Sequence, residues 1–196
     1  MAGETAEPTV LIVPGLRDHV ERHWQTLLAR KLPQVRVVPP MGRENLDCAK
    51  RVRAIERCAQ AIPGPLVIVA HSGGCIMLAH WAQQTKRSVQ GALLATPPDF
   101  ERPMPEGYPT LDALRESGWL PVPRAPLPFR SIVAGSRNDP LAGYGRVAEL
   151  AQAWGSELVD LGLVGHLNPA SGHGEWPRAD DFIAELSATA DMTAAR

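Results

Sequence analysis

The chain has 196 residues, 44% of them hydrophobic and 21% charged, with a net charge of −1, the makeup of one globular domain that buries roughly 70% of its surface on folding. It carries no excess of Lys and Arg to neutralise phosphates, so nucleic acid is not an expected ligand. No apolar run approaches the roughly 20 residues of a membrane span, so no membrane partner is expected either.

The first strand is expected at Thr9 to Val13, closed by the turn Pro14-Gly15-Leu16-Arg17-Asp18. A helix from about Arg22 to Leu32 follows, stopped by Pro33, and Val35 to Val38 reads as a second strand. Leu46 to Ile62 is amphipathic, with Val52, Ile55 and Ala59 on one side and its Arg and Lys residues read as a solvated face. Leu66 to Ala70 is a buried strand leading through His71-Ser72 into a helix from Gly73 to about Gln84. Gln90 to Ala95 is the fourth strand. The segment Thr96 to Phe129 holds at most one short helix, around Thr110 to Ser117, and nine of the chain's 19 prolines fall between Pro97 and Pro128. A loop that long inside a compact domain is usually functional. Ser131 to Ala134, a helix over Tyr144 to Trp154, and Glu157 to Leu161 complete the alternation. The loop Gly162 to Pro177 and a last helix, about Ala179 to Ala190, end the expected domain of residues 8–190, with flexible tails at 1–7 and 191–196.

Strands alternating with helices, each strand apolar throughout, specify a mostly parallel six-stranded sheet covered on both faces, a three-layer α/β/α sandwich. Ligands of such sheets bind beyond the carboxyl ends of the strands. Gly15-Leu16, Ser72, Asp139 and His166 all fall there.

The stretch Ala70-His71-Ser72-Gly73-Gly74 has the strand–turn–helix context of a nucleophile elbow, with Ala in place of the first Gly of G-x-S-x-G. Small neighbours suit a strained turn residue, and the helix aims its first amides at the serine. A serine that merely caps a helix is the plainer reading. A serine hydroxyl needs a base, and the base needs a carboxylate to hold its tautomer. Ser72, Asp139 and His166 occur in the α/β-hydrolase order Ser, Asp, His. His173 competes as base and Asp160 as acid, and turn chemistry alone also accounts for an Asp in Asn138-Asp139-Pro140. The amides of Leu16 and Gly73 are the candidate oxyanion donors. His71 should point away from the serine, and His19, His23 and His80 read as structural. No cofactor is expected, since the first strand is not followed by a phosphate-binding glycine loop. No metal is expected either, since His166 and His173 lack ligand spacing and a Cys pair.

Seven short motifs resemble, in order, the small α/β-hydrolases of the retinoblastoma-binding-protein-9 type, chiefly their bacterial relatives. They are Val13-Pro14-Gly15-Leu16, His23-Trp24, Ala70 to Gly74, Pro97-Pro98-Asp99, Ser136 to Pro140, Gly165-His166-Leu167-Asn168 and Ser171 to Pro177. The resemblance runs from about Val10 to Leu186 and implies a minimal α/β-hydrolase without a large lid, with Ser72, Asp139 and His166 as its triad. Two departures stand out: residues Pro39 to Asn45 lack the Trp-containing segment of many relatives, and Leu46-Asp47-Cys48-Ala49-Lys50 ends in Lys where L-x-C-x-E requires Glu. Pocket-protein binding is therefore not implied.

The expected function is a serine hydrolase cleaving small carboxylic esters through an acyl-enzyme. The alternatives are an amidase or peptidase with the same triad, and an interaction module on a hydrolase fold with a vestigial triad. The expected partner is a small ester or amide. A cytoplasmic location is expected because the first residues lack the features of a signal peptide and the three cysteines suggest no disulfide framework. Cys48 and Cys58 share one predicted helix, too far apart to bridge.

Overall fold

The computed structural model describes residues 7–188. The tails expected at 1–7 and 191–196 lie outside the described residues except for Glu7, as do the last two residues of the 8–190 domain. Six strands, β1 (Thr9–Val13), β2 (Val35–Val37), β3 (Leu66–His71), β4 (Gly91–Ala95), β5 (Ser131–Gly135) and β6 (Glu157–Asp160), form one sheet in the order β2-β1-β3-β4-β5-β6. Every neighbouring pair is parallel. The helices are α1 (Trp24–Lys31), α2 (Cys48–Gln60), α3 (Gly73–Ala82), α4 (Leu111–Glu116), α5 (Tyr144–Trp154) and α6 (Arg178–Ser187). The last helix thus ends at Ser187, short of the expected Ala190.

Successive side chains of a strand point to opposite faces, so each inner strand feeds two cores. Leu11, Val13, Ile68, Ala70, Leu94 and Val133 pack with α2, α3 and α5 on one face. Val10, Ile12, Val67, Val69, Leu93 and Ile132 pack with α1 and α6 on the other. The result is the expected three-layer sandwich. Apolar strands covered on both faces hold for β1, β3, β4 and β5 but not at the edges, where Val37 is 41% exposed and β6 presents Glu157 and Asp160 to solvent. An edge strand has one neighbour, and the helices centre on the middle of the sheet.

One assignment of the α2 face is corrected. Arg51 is not solvated but 2% exposed. Its Nε donates to the Asn45 carbonyl at 2.9 Å and its Nη2 to the Gly42 carbonyl, pinning the loop before α2. A buried guanidinium persists because backbone acceptors replace water.

Residues 96–129 are irregular apart from α4, yet they are tied down at many points. Trp119 and Phe100 meet edge to face at 5.3 Å. Trp119 Nε1 donates to the Leu46 carbonyl at 2.7 Å, Trp154 Nε1 to the Pro123 carbonyl at 2.8 Å, and Glu101 pairs with Arg124 at 2.5 Å and with Arg146. The segment is a wall packed on α2, α3 and α5, not a helical lid.

The strand order reverses direction between β1 and β3, since the chain steps outward to β2 and then back across β1. The loops leaving β1 and β3 therefore diverge to opposite faces and leave a crevice between them. Gly15-Leu16 and Ser72 border it.

Candidate active site

Ser72 sits at the turn from β3 to α3 with φ 55° and ψ −131°, a strained conformation for a residue with a side chain. The turn is enforced from both sides. A Cβ on Gly74 would lie 2.5 Å from the Val13 carbonyl oxygen, and one on Gly15 would lie 3.1 Å from Ser72 Cβ. The start of α3 thus rides directly on the end of β1, which is possible only without side chains there. This is the elbow expected from the sequence. Ser72 makes no side-chain cap, so the plainer reading of a helix-capping serine does not describe it.

A continuous hydrogen-bond chain starts at this serine. Ser72 Oγ lies 2.8 Å from His166 Nε2, and His166 Nδ1 lies 2.9 and 3.0 Å from the two carboxylate oxygens of Asp139. Because Nδ1 faces a carboxylate, it carries the proton and Nε2 accepts from the serine. The Asp139 side chain is 1% exposed and also accepts from the Leu141 amide at 2.9 Å. Among the described residues the Leu16 amide donates no hydrogen bond. The Gly73 amide belongs to the first turn of α3, which a helix leaves without internal partners. Leu16 and Gly73 adjoin, since a Cβ on Gly73 would lie 2.9 Å from Leu16 Cγ.

The other candidates lie elsewhere. His173 is half-buried, with its own amide bonded to the Asn168 carbonyl, and its side chain meets neither Ser72 nor Asp139. The place of Asp160 beside Leu161 in the expected last strand predicts that it turns into the layer covering the sheet, but it does not. It pairs at the surface with Arg137 at 2.5 Å and accepts from the Gly162 amide. His80 bonds the Trp119 carbonyl and His19 is exposed.

Several residues to which the sequence assigns no catalytic role hold the geometry. Asn138 Oδ1 accepts from the Ser136 hydroxyl at 3.0 Å and from the Gly165 amide at 2.7 Å, joining the Asp139 loop to the His166 loop. Ser171 Oγ accepts from the His166 amide and donates to Asn168 Oδ1. His71 turns to the α1 side and its Nε2 donates to the His166 carbonyl at 2.9 Å. His23 caps α1 through Nδ1 and meets His71 with ring centroids 4.7 Å apart. Burial, then the neighbouring Arg17 charge, pushes the His23 pKa down to about 3. Burial, which penalises the charged ring, is the largest cause holding His71 well below the usual histidine value. Both rings are neutral at physiological pH, leaving His23 Nε2 as a donor and His71 Nδ1 as an acceptor without partners among the described residues. The occurrence of Asn138 and Asn168 inside short polar motifs at strand ends was the only signal available for them.

The cavity in front of Ser72 has a volume of about 230 Å³, below the roughly 300–1,000 Å³ of pockets for drug-sized ligands. Phe100, Met104 and Tyr108 of the 96–129 wall line it, facing Leu16, Val20 and Leu141. Among the described residues no group of three His, Cys, Asp or Glu side chains could hold a metal ion. No helix there is long and apolar enough to cross a membrane.

A wholly parallel sheet, a strained serine on the strand–helix turn at its switch point, and His and Asp delivered by later loops define an α/β-hydrolase. The chain belongs to the serine hydrolase family, whose model matches residues 10–185. A crystal structure described as a YdeN-like hydrolase from Pectobacterium atrosepticum is 30% identical, with 92% of this chain and 91% of that chain covered and a TM-score of 0.78. The ydeN gene product of B. subtilis shares the fold at 17% identity and TM-score 0.69, covering 91% of this chain and 98% of its own. Est1E from Butyrivibrio proteoclasticus, with ferulic acid bound, does so at 13% identity and TM-score 0.70, covering 95% and 92%. No curated protein sequence matches the chain.

Proposed function

We propose that this hydrolase cleaves small carboxylic esters through an acyl-enzyme on Ser72. The observation that carries the reading is the unbroken chain Ser72 Oγ–His166–Asp139 at 2.8 to 3.0 Å. His166 takes the serine proton as Oγ attacks the ester carbonyl, and Asp139 holds the imidazole tautomer and stabilises the imidazolium. The carbonyl oxygen, as it gains charge, accepts hydrogen bonds from the Leu16 and Gly73 amides. His166 then protonates the departing alcohol, and water, deprotonated by the same base, releases the carboxylate product. The seven ordered motifs support a kinship with the retinoblastoma-binding-protein-9-type hydrolases, and three free cysteines support a reducing compartment such as the cytoplasm. A small cavity favours small substrates.

Acid quenching during turnover of p-nitrophenyl butyrate, followed by peptide mass spectrometry, tests the mechanism. One butyryl group on the peptide containing Ser72 is expected. A steady state with turnover but no acylated Ser72 peptide contradicts it.

A further inference from the structure

The cavity in front of Ser72 has an unbalanced lining. Arg17 and Arg43 both border it, and no Asp or Glu does. Among the described residues neither guanidinium meets a carboxylate within ion-pair distance. Arg17 is partly buried, and its contacts are neutral: the Asp18 carbonyl at 3.2 Å and the Gln25 amide oxygen at 3.4 Å. Its Nε is fully enclosed without an acceptor. Gln25, 1% exposed, has its amide nitrogen committed to the Val13 and Val69 carbonyls at 3.1 Å each, so its oxygen is turned towards Arg17.

Arg43 is held by different means. Its Nη1 donates to the Gly107 carbonyl at 2.8 Å, and its guanidinium stacks 4.2 Å from the centroid of Tyr108. Its loop is pinned twice, by buried Arg51 on the Gly42 carbonyl and by the Gly42 amide on the Arg17 carbonyl at 3.3 Å. That second bond brings the two arginine-bearing loops together. The acids next to the two arginines in the chain, Asp18 and Glu44, are exposed and do not line the cavity.

A partly desolvated cation without a counterion is costly, and an anion entering the cavity relieves that cost. A guanidinium presents a planar fork that fits a carboxylate, and two of them compete poorly for a neutral acyl chain. Arg17 directly follows Leu16, the proposed oxyanion donor, and both arginines border the cavity that holds Ser72. The alcohol departs on the side of His166, which protonates it. We infer that Arg17 and Arg43 form a carboxylate-binding subsite, so that the preferred substrates are esters whose acyl part ends in a second, free carboxylate. The inference rests on the reading of Ser72 as nucleophile. It adds the chemical class of acyl group that the cavity selects.

The test compares p-nitrophenyl hydrogen glutarate with p-nitrophenyl hexanoate, similar in length and differing in the terminal carboxylate, with Ser72→Ala as the blank. Wild type should favour the glutarate ester in kcat/KM by about tenfold to a hundredfold, the range for contacts to a charged group. The ratio should collapse towards one in the folded double variant Arg17→Gln/Arg43→Gln and shrink as salt is raised. A wild-type ratio at or below one, with Ser72-dependent cleavage of the hexanoate, overturns the subsite and leaves the esterase reading standing. If neither ester is cleaved, the esterase reading fails, and calorimetry on Ser72→Ala decides the subsite. Binding of monomethyl glutarate but not methyl hexanoate, lost in the triple variant that adds both Arg→Gln changes, upholds it. No binding of monomethyl glutarate overturns it.

Discussion

Asp139→Asn is the substitution whose consequence the structure specifies most closely. The carboxylate is enclosed, with Oδ1 accepting from the Leu141 amide at 2.9 Å and both oxygens facing His166 Nδ1. An asparagine has one acceptor and one donor end. Its oxygen must stay on the Leu141 N–H, because an amide nitrogen there would set two donors against each other. Its NH2 group then replaces Oδ2, the oxygen nearer Nδ1 at 2.9 Å, and favours Nδ1 as an acceptor with the imidazole proton on Nε2. A protonated Nε2 cannot take the Ser72 proton. Loss of the working tautomer costs about 10⁴ in turnover in a comparable triad, about 5.5 kcal/mol of barrier at 1.36 kcal/mol per decade. Shape and volume are conserved and the Leu141 bond survives, so the fold should hold. The assay is kcat on p-nitrophenyl butyrate beside a thermal melt. A folded Asp139→Asn enzyme within tenfold of wild type would refute the assignment of Asp139 as the carboxylate that orients His166.

The remaining predictions concern the neighbouring groups and the cavity. His166→Ala should be inactive, while His173→Ala and Asp160→Asn should stay within about twofold of wild type, since neither side chain bonds Ser72, His166 or Asp139 and substitutions away from such features usually cost little. A collapse in either of those two, with His166→Ala active, would reverse the roles. With neutral p-nitrophenyl esters, kcat/KM should be higher for acetate or butyrate than for octanoate. Each buried methylene contributes at most ~0.8 kcal/mol and only while the cavity of about 230 Å³ has room. A value still rising at dodecanoate would show a long channel and a movable 96–129 wall. His23 is buried neutral with its pKa lowered to about 3. The unfolded chain therefore binds the extra proton first, so this contribution to stability is complete above about pH 6.5 and is lost as pH falls towards 3, at up to ~1.4 kcal/mol per unit. His23→Asn keeps a helix-capping oxygen and removes the titration, so urea melts from pH 7 to 4 should show a shallower loss. An unchanged slope would contradict the burial argument.

The sequence made the sheet and the hydrogen-bonded chain legible for a local reason. Buried parallel strands read as short apolar runs, and each polar residue of the chain lies in the segment that follows a strand: Ser72 directly after β3, Asp139 and His166 a few residues beyond β5 and β6. Ser72 therefore stands out without tertiary contacts, whereas His166 is told from His173 only by its contacts with Ser72 and Asp139. What was hidden depends on contacts between distant segments. His71 meets the carbonyl of His166 across 95 positions. Arg51 looked like one more basic residue on a solvated helix face, and only the Gly42 and Asn45 carbonyls explain its burial. Arg17 and Arg43 belong to separate loops, and one backbone bond from Gly42 to Arg17 brings those loops together. Asp160 looked eligible because strand alternation does not tell which edge residues find a surface partner such as Arg137.

The claim that Ser72 is an activated nucleophile is tested most directly by covalent labelling with a fluorophosphonate probe. Such a probe reacts with a serine only when a base removes its proton and amides stabilise the developing charge. Wild type should be labelled at one site, on the peptide containing Ser72. Ser72→Ala should take no label, and His166→Ala should react far more slowly. Equal labelling of wild type and Ser72→Ala, or an unlabelled but folded wild type, would contradict it.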